Sequence, residues 1–259
     1  MLAGGDTKGL FVTGTDTNVG KSLAACAIIR ILRRQGLDAV GFKPVATGRA
    51  GRSWGDCLAL HEASDQCEPL EELCPLRFAS PLAPTIAAAR EGVEPDMDLA
   101  REAFARVCAR HKAVIVEGIG GVLVPLDRNT LVLDFAAQTG FPLLIVCRAG
   151  LGTINHTLLT VREIERRELP LAGVIMSITR PLDKALADGA REEIERISGA
   201  KVIATIAFLG PGEGSDAPGA SLVERAAAGL AKQVDFRSLL GGHRTAGVPP
   251  ARLRRRAGD

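Results

Sequence analysis

The chain has 259 residues, of which 46% are hydrophobic and 24% charged, and this is enough for one sizeable core. The formal net charge is +2, but the last seventeen residues hold five arginines and one aspartate, so the rest is mildly acidic. A mildly acidic body with 3% aromatic residues and no tyrosine argues against a nucleic-acid partner. Because the apolar stretches are too short for a membrane span and Met1–Gly9 lacks a signal-peptide pattern, we expect a cytoplasmic protein with no membrane partner.

Strand-length apolar runs alternate with longer amphipathic stretches along the chain. The runs predict strands at Gly9–Thr13, Ala39–Lys43, Lys112–Glu117, Pro142–Cys147, Leu171–Ser177 and Lys201–Ala207. The stretches predict helices at Lys21–Gln35, Met97–His111, Thr153–Arg167, Lys184–Ile197 and Ser221–Gln233. Strands that are apolar throughout are buried on both faces, as in a parallel sheet covered by helices. The pattern predicts a single doubly wound α/β domain with a mostly parallel sheet flanked by helices.

The remaining segments predict loops, a tail and free thiols. Arg49–Asp56 and Leu209–Gly219 are Gly-rich and polar, so we expect them to be the most mobile loops. No apolar periodicity follows Gly241, which predicts a domain over 1–240 and a basic, disordered tail over 241–259. No two cysteines have C-x-x-C spacing, and buried free thiols in a reducing cytosol explain them better than disulfides or zinc. The cysteines are Cys26, Cys57, Cys67, Cys74, Cys108 and Cys147.

A glycine-containing loop, Gly14–Ser22, lies between the first predicted strand and helix. It differs from the strict G-x-x-x-x-G-K-[ST] pattern because Thr15 holds the first glycine slot, but Gly20-Lys21-Ser22 keeps the parts that bind phosphate and Mg²⁺. The alternative is a Gly-rich turn with a solvent-facing Lys21. The loop favours a P-loop NTPase-like fold, and its expected nucleotide-binding residues are Thr15, Asp16, Thr17, Asn18, Val19, Gly20, Lys21 and Ser22.

Two carboxylates and one lysine are candidates for the same sheet edge. Glu117 ends a predicted strand and needs a partner if it is buried, which makes it a candidate metal ligand beside Ser22. Asp56 is the other candidate, although the local sequence favours a helix N-cap there. Lys43 ends the second strand before Pro44, and its positive charge would stabilise a transferred phosphoryl group or a substrate carboxylate or carbamate. The alternative is a strand-end lysine that reaches solvent.

These segments together resemble the dethiobiotin synthetase family. The resemblance runs in order from about Leu10 to Ala207 and is carried by Phe11–Lys21, Gly41–Gly48, Asp56–Leu60, Val116–Leu126 and Gly150–Thr160. The loop GTDTxVGK is specific in combination with KPVxxG and GxINH. The resemblance implies an ATP- and Mg²⁺-dependent homodimer that joins CO₂ (or bicarbonate) to 7,8-diaminopelargonate. One amine becomes a carbamate, the carbamate attacks the γ-phosphate of ATP, and the second amine closes the ureido ring of dethiobiotin.

The resemblance also assigns roles to residues of this sequence. Lys21, Lys43 and Thr47 are implied as catalytic residues, and Ser22, Asp56 and Glu117 as metal ligands. Further implied nucleotide contacts are Glu117, Gly118, Gly120, Gly121 and Ser177. The implied substrate contacts are Thr17, Lys43, Thr47, Gly150, Leu151, Gly152, Thr153 and Asn155, of which the last five cap the carboxylate tail at a helix N-terminus of the second subunit. His156 is expected to be a helix-surface or cap residue.

The sequence departs from the family pattern at four places. Asn18 stands where glutamate is common, Ala83-Pro84-Thr85 stands for Ser-Pro-His, and Ile206-Ala207 stands where Ile-Pro is usual. Ser177 replaces an asparagine that commonly reads adenine, which predicts a relaxed base preference.

Three alternative functions compete with this interpretation. Amide-forming amidotransferases of the cobyrinate type carry a glutaminase domain, for which 259 residues leave no room, although a separate subunit is conceivable. Partitioning and septum-placement ATPases carry an extra lysine early in the loop, and none lies between Gly14 and Gly20. A regulatory homologue that binds nucleotide without turnover is the third alternative, and the retained set argues against it: Lys21, Ser22, Lys43, Asp56 and Glu117.

Overall fold

The computed structural model describes residue 2 and residues 6–181, 184–210 and 218–241. The strands are β1 (Lys8–Gly14), β2 (Ala39–Phe42), β3 (Val45–Thr47), β4 (Leu76–Phe78), β5 (Ala113–Gly121), β6 (Leu143–Arg148), β7 (Leu171–Ser177) and β8 (Val202–Ile206). The helices are α1 (Lys21–Arg34), α2 (Gly55–Ala63), α3 (Leu70–Leu73), α4 (Pro84–Arg90), α5 (Met97–Arg110), α6 (Val132–Thr139), α7 (Thr153–Arg166), α8 (Lys184–Ser198), α9 (Ala220–Leu230) and α10 (Phe236–Leu239).

Six strands form one sheet in the order β2-β5-β1-β6-β7-β8, and every neighbouring pair is parallel. From β1 the chain goes to the edge strand β2, returns to β5 between β2 and β1, and then places β6, β7 and β8 on the other side of β1, so the direction of the connections changes at β1. This confirms the predicted doubly wound α/β domain. Because all six strands point the same way, their carboxyl ends share one edge, and ligands of such sheets bind at that edge near the reversal.

Apolar residues cover both faces of the sheet. On one face α1 buries Leu23, Ala24, Ala27 and Ile28 between the sheet and its neighbouring helices, and on the other Phe104 packs edge-to-face against Phe42. A fully buried isoleucine such as Ile28 contributes roughly 1.5–3 kcal/mol. The two-sided burial explains why the strands read as continuous apolar runs rather than alternating ones.

A small second sheet was missed by the sequence analysis. In it β3 and β4 pair in parallel, with Thr47 opposite Phe78. Each strand has three residues, which is too short to show a period of two. The helices α3, α4, α6 and α10 were also missed, and all four are short. The N-terminus of α2, at Gly55, lies inside the segment that was predicted to be a mobile loop.

The prediction of free thiols is wrong for one pair. Cys57 and Cys74 form a disulfide, with their Cα atoms 6.2 Å apart, while the other four cysteines are free. The two cysteines are seventeen positions apart in sequence and the chain between them folds back through α3, so the contact is tertiary and leaves no local spacing signal.

Some predictions fall outside the described residues. The predicted loop Leu209–Gly219 is described only at 209–210 and 218–219, and the predicted tail only at Gly241. Within the described ranges, no helix has the length and hydropathy needed to cross a membrane.

Candidate active site

The phosphate loop, Gly14–Ser22, connects β1 to α1. Gly20 occupies the N-terminal capping position of α1 with φ of 97°, a left-handed conformation that glycine adopts without strain. A Cβ atom on Gly20 would lie 2.7 Å from the hydroxyl oxygen of Ser177, so close packing also requires glycine here. Among the described residues no side chain caps this end of α1, which leaves the N–H groups of its first turn available to an anion.

Lys21 and Asn18 shape the loop itself. The Nζ of Lys21 donates a hydrogen bond to the carbonyl oxygen of Asp16 at 2.8 Å, and the side chain is buried. The alternative of a solvent-facing Lys21 is therefore wrong. Asn18 has φ of 53°, and asparagine enters this left-handed region more readily than most residues. The departure from glutamate at this position suits the loop conformation.

A charge cluster formed by Lys43, Asp56, Glu117 and Ser22 lies beside the loop. The Nζ of Lys43 is 2.9 Å from Asp56 Oδ2 and 2.9 Å from Glu117 Oε1. The hydroxyl of Ser22 donates to the same Glu117 oxygen at 2.8 Å. Lys43 is 2% exposed and Glu117 1% exposed, so these charges lie in a low dielectric and depend on one another. The expectation that Glu117 has a partner is confirmed, and the alternative of a Lys43 that reaches solvent is wrong.

The main sheet and α2 bring this cluster together. Phe42 pairs with Val116 across β2 and β5, so the residues that follow them, Lys43 and Glu117, are neighbours at the carboxyl edge. Asp56 lies in the first turn of α2, whose N-terminal capping residue is Trp54. The interpretation of Asp56 as an N-cap is therefore wrong, and its carboxylate is directed to Lys43 instead.

Burial and pairing shift the protonation equilibria of the cluster. Burial raises the pKa of Glu117, and the ammonium of Lys43 opposes that shift. Burial alone would lower the pKa of Lys43, but the carboxylates of Asp56 and Glu117 raise it well above its ordinary value. Lys43 therefore stays charged at neutral pH.

The donor set of the cluster fits Mg²⁺. Ser22, Asp56 and Glu117 offer hydroxyl and carboxylate oxygens, the ligands that Mg²⁺ prefers. The Oε2 of Glu117 is buried without a hydrogen-bond partner among the described residues, so it keeps an unused acceptor in the site. The described residues contain no group of three or more His, Cys, Asp or Glu side chains that could hold a metal ion, and this cluster offers two carboxylates and a hydroxyl. Phosphate and water would have to complete the coordination, which is typical of Mg²⁺.

A cavity of about 370 Å³ opens onto this cluster. The predicted site residues that line it are Thr17, Asn18, Gly20, Lys21, Ser22, Lys43, Thr47, Asp56, Glu117 and Gly120. Its apolar wall was not predicted from the sequence; it is formed by Leu23, Pro81, Leu82, Ala83, Pro84, Ile119 and Val124. The Pro- and Ala-rich run 81–84 is the one local signal that could have found this wall. Thr85 lies outside the lining and borders a separate cavity of about 220 Å³.

Other predicted residues lie away from the cavity lining. They are Thr15, Asp16, Val19, Gly118, Gly121, Ser177 and the run from Gly150 to Asn155. Ser177 ends β7 and is buried with its hydroxyl against Gly20. The run 150–155 forms the start of α7, where Gly152 has φ of 88° and the Leu151 side chain is fully exposed. His156 is exposed on α7, as expected for a helix-surface residue.

Comparison with known proteins decides the family. Residues 8–211 match the family described as AAA domain. An ATP-dependent dethiobiotin synthetase from Anaeromyxobacter dehalogenans (strain 2CP-C) is 50% identical over 191 residues, which cover 74% of this chain and 86% of that protein. The chain belongs to the dethiobiotin synthetase family of AAA-domain proteins. A second member of this family, from Anaeromyxobacter sp. (strain K), is 48% identical over 199 residues, covering 77% of this chain and 89% of its own length.

Solved structures show the same fold in proteins of low sequence identity. A ParA family ATPase from Chlorobium tepidum TLS superimposes with a TM-score of 0.52 at 13% identity, covering 88% of this chain and 99% of the other. This likeness concerns the fold alone. The loop of the present chain has no lysine between Gly14 and Gly20, and it follows the pattern expected of the dethiobiotin synthetase family.

Proposed function

We propose that this protein is an ATP-dependent dethiobiotin synthetase of biotin biosynthesis. It joins CO₂ to 7,8-diaminopelargonate and closes the ureido ring, releasing ADP and phosphate. The observation that carries the proposal is the meeting of two lysines, Lys21 and Lys43, with Asp56 and Glu117 around one cavity that also has an apolar wall. Family membership makes this chemistry the expected use of the cavity.

The phosphate loop serves the nucleotide. The N–H groups at the start of α1 and the ammonium of Lys21 both favour the β- and γ-phosphates of ATP. Lys21 already bonds to the Asp16 carbonyl at 2.8 Å, so its side chain is held over the loop before nucleotide arrives. Thr15, Asp16 and Val19 support the loop from outside the cavity lining, and Gly118, Gly120 and Gly121 continue the same edge after Glu117.

Ser22, Asp56 and Glu117 would hold Mg²⁺. The ion supplies positive charge to the phosphate oxygens of ATP when it is bound. The carboxylates that would hold it are both paired with Lys43 in this structure, and this pairing fixes their positions beside the phosphate loop. The unused Oε2 of Glu117 supports the same assignment.

Lys43 and Thr47 serve the reacting amines. One amine of the substrate adds to CO₂ and loses a proton, giving a carbamate. A carbamate oxygen attacks the γ-phosphorus of ATP and ADP leaves; the second amine then attacks the carbamoyl carbon, and phosphate leaves as the ring closes. The Lys43 ammonium stabilises the negative charge of the carbamate and of the transferred phosphoryl group. Thr47 and Thr17 line the cavity, where their hydroxyl groups would bind the amines, and Pro81, Leu82 and Val124 would suit the aliphatic chain.

The carboxylate tail of the substrate would be bound by a second copy of the chain. Among the described residues that line the cavity, the cations are Lys21, assigned above to phosphate, and Lys43, which pairs with Asp56 and Glu117. The N-terminus of α7, with Gly150, Leu151, Gly152, Thr153 and Asn155, presents backbone N–H groups that favour an anion. The fully exposed Leu151 gives this end an apolar contact surface for a homodimer. We also place the enzyme in the cytoplasm, where ATP is supplied.

The proposal is tested by the substrate dependence of ATP hydrolysis. Purified protein with ATP and Mg²⁺ should release ADP only when 7,8-diaminopelargonate and bicarbonate are both present. ADP release without the diamine would instead indicate a switch-like ATPase. A requirement for glutamine or ammonia would indicate an amide-forming ligase.

A further inference from the structure

Trp54 is the single tryptophan of the chain, and it directly precedes the helix that carries Asp56. Its carbonyl oxygen accepts the N–H of Leu58 at 3.1 Å, which starts the hydrogen-bond ladder of α2. Its indole Nε1–H donates to the carbonyl oxygen of Phe78 at 2.8 Å. The same residue therefore begins α2 with its backbone and is anchored to the end of β4 with its side chain.

Two guanidinium groups also contact the Trp54 ring. The Cζ atoms of Arg77 and Arg49 lie 5.4 Å and 5.8 Å from the ring centroid. Each cation is attracted by the negative face of the ring, and this attraction offsets the repulsion between the two like charges. We call this arrangement of Arg49, Trp54, Arg77 and the Phe78 carbonyl the Trp54 clamp.

The clamp connects two walls of the cavity. Phe78 pairs with Thr47 across β3 and β4, and its carbonyl oxygen also accepts the N–H of Gly48 at 3.1 Å. Trp54 further packs on the small buried cluster that contains Ala46 of β3. Thr47 and Asp56 both line the cavity. The indole thus ties the small sheet, through the Phe78 carbonyl and Ala46, to the start of the helix that carries Asp56.

We propose that Trp54 is a positioning residue for this reaction. The clamp fixes the start of α2 on the small sheet, and so sets where the Asp56 carboxylate stands relative to Thr47 and Lys43. This inference rests on the proposed function, in which Asp56 would hold the metal and Thr47 lines the amines. Without the clamp, α2 keeps its other packing contacts but its first turn is no longer tied to the Phe78 carbonyl.

The test compares Trp54→Leu and Trp54→Phe with Leu70→Ala. Leu70 packs on the same small cluster as Trp54 and, in the described structure, takes no part in the clamp, so it is the matched control. Binding of Mn²⁺ in the presence of a non-hydrolysable ATP analogue is measured from the EPR signal of the free ion. In parallel, kcat and the KM for 7,8-diaminopelargonate are measured, together with the Tm of each variant.

Substitution of a residue that orients a metal ligand typically lowers metal affinity or activity 10–100-fold. We therefore expect Trp54→Leu to weaken Mn²⁺ binding roughly tenfold and to lower kcat. Trp54→Phe keeps an aromatic face for both guanidinium groups but loses the indole N–H that binds the Phe78 carbonyl, so it should recover only a small part of the loss. Arg77→Met keeps the indole and should shift Mn²⁺ affinity in the same direction by a smaller factor. Leu70→Ala should lower the Tm and leave Mn²⁺ affinity unchanged.

Equal Mn²⁺ affinities in Trp54→Leu and Leu70→Ala would overturn the positioning role. A Trp54→Phe variant that binds Mn²⁺ as tightly as the unaltered protein would overturn the role of the indole tie to the Phe78 carbonyl as well. If the unaltered protein bound Mn²⁺ and the ATP analogue but made no dethiobiotin, the proposed function would fail while the Mn²⁺ comparison still decided the role of Trp54.

Discussion

Lys43→Met removes the charge on which the buried cluster depends while keeping an unbranched side chain of similar length. In the unaltered protein the Lys43 ammonium lies 2.9 Å from Asp56 Oδ2 and 2.9 Å from Glu117 Oε1. The variant leaves two carboxylates facing each other, and one of them is 1% exposed. Breaking a buried pair by removing one partner costs about 3–5 kcal/mol, because it leaves an uncompensated charge.

We expect the lower end of that range, about 3 kcal/mol, because Asp56 is partly exposed and Ser22 still bonds to Glu117. For a chain of this size this corresponds to a loss of roughly 6–12 °C in the Tm of the nucleotide-free protein. Added Mg²⁺ should restore more of the Tm in the variant than in the unaltered protein, since it supplies the missing positive charge. The measurement is differential scanning calorimetry with and without Mg²⁺.

Lys43→Met should also lower kcat while leaving ATP affinity largely unchanged. Lys43 acts mainly as charge develops on the transferred group, so kcat should fall about 10²–10³-fold while ATP affinity is largely kept. Lys21→Met is the control: Lys21 bonds to the Asp16 carbonyl and serves the phosphates, so its loss should weaken ATP binding together with the rate. A Lys43→Met variant with an unchanged Tm would refute the buried ion pair. A variant that loses ATP affinity but keeps kcat would refute the assignment to the transferred group.

Three further variants test the neighbouring assignments. Glu117→Gln should weaken the Mg²⁺ dependence of the reaction by at least roughly tenfold. It should lower the Tm of the nucleotide-free protein less than Lys43→Met does, because Asp56 still pairs with Lys43. Unchanged Mg²⁺ dependence with a large loss of Tm would instead indicate a structural carboxylate. Ser177 is buried against Gly20 and cannot offer the donor–acceptor fork of asparagine, so CTP or GTP should support turnover within about tenfold to a hundredfold of ATP in kcat/KM. An ATP preference of several thousandfold would show that another group reads the base. Truncation after Leu240 should leave a dimeric and active enzyme by gel filtration and turnover, and loss of either property would show that the arginines of the tail pack on the body.

The main sheet could be predicted from sequence because its signals are local. Each long strand is a continuous apolar run, and the loop that ends at Ser22 combines glycine, lysine and hydroxyl groups at a strand-to-helix turn. The small sheet could not be predicted in this way. Val45 pairs with Leu76 across a connection that contains α2 and α3, and strands of three residues have no measurable period. The Cys57–Cys74 disulfide was missed for the same reason.

The residues of the candidate site could be predicted from their types and positions, but the contacts between them could not. Lys43 and Glu117 each end a strand run, which placed both at the carboxyl edge of the sheet. That they meet across 74 residues depends on β2 lying beside β5, and the strand order cannot be read from either segment alone. Asp56 was misjudged because a carboxylate near a helix start is usually an N-cap, whereas here Trp54 takes that position. The apolar wall at 81–84 carries no charged or hydroxyl group at the cavity, so no chemical motif pointed to it.

The most direct test of the proposed function is the fate of the bicarbonate carbon. The protein is incubated with ¹³C-bicarbonate, 7,8-diaminopelargonate, ATP and Mg²⁺, and the product is examined by mass spectrometry and ¹³C NMR. We predict dethiobiotin with the label in the ureido carbonyl and one ADP formed for each labelled ring. ADP formed without labelled dethiobiotin, or label found only in an open-chain product, would contradict the assignment of Lys43 and Thr47 to carbamate activation and ring closure.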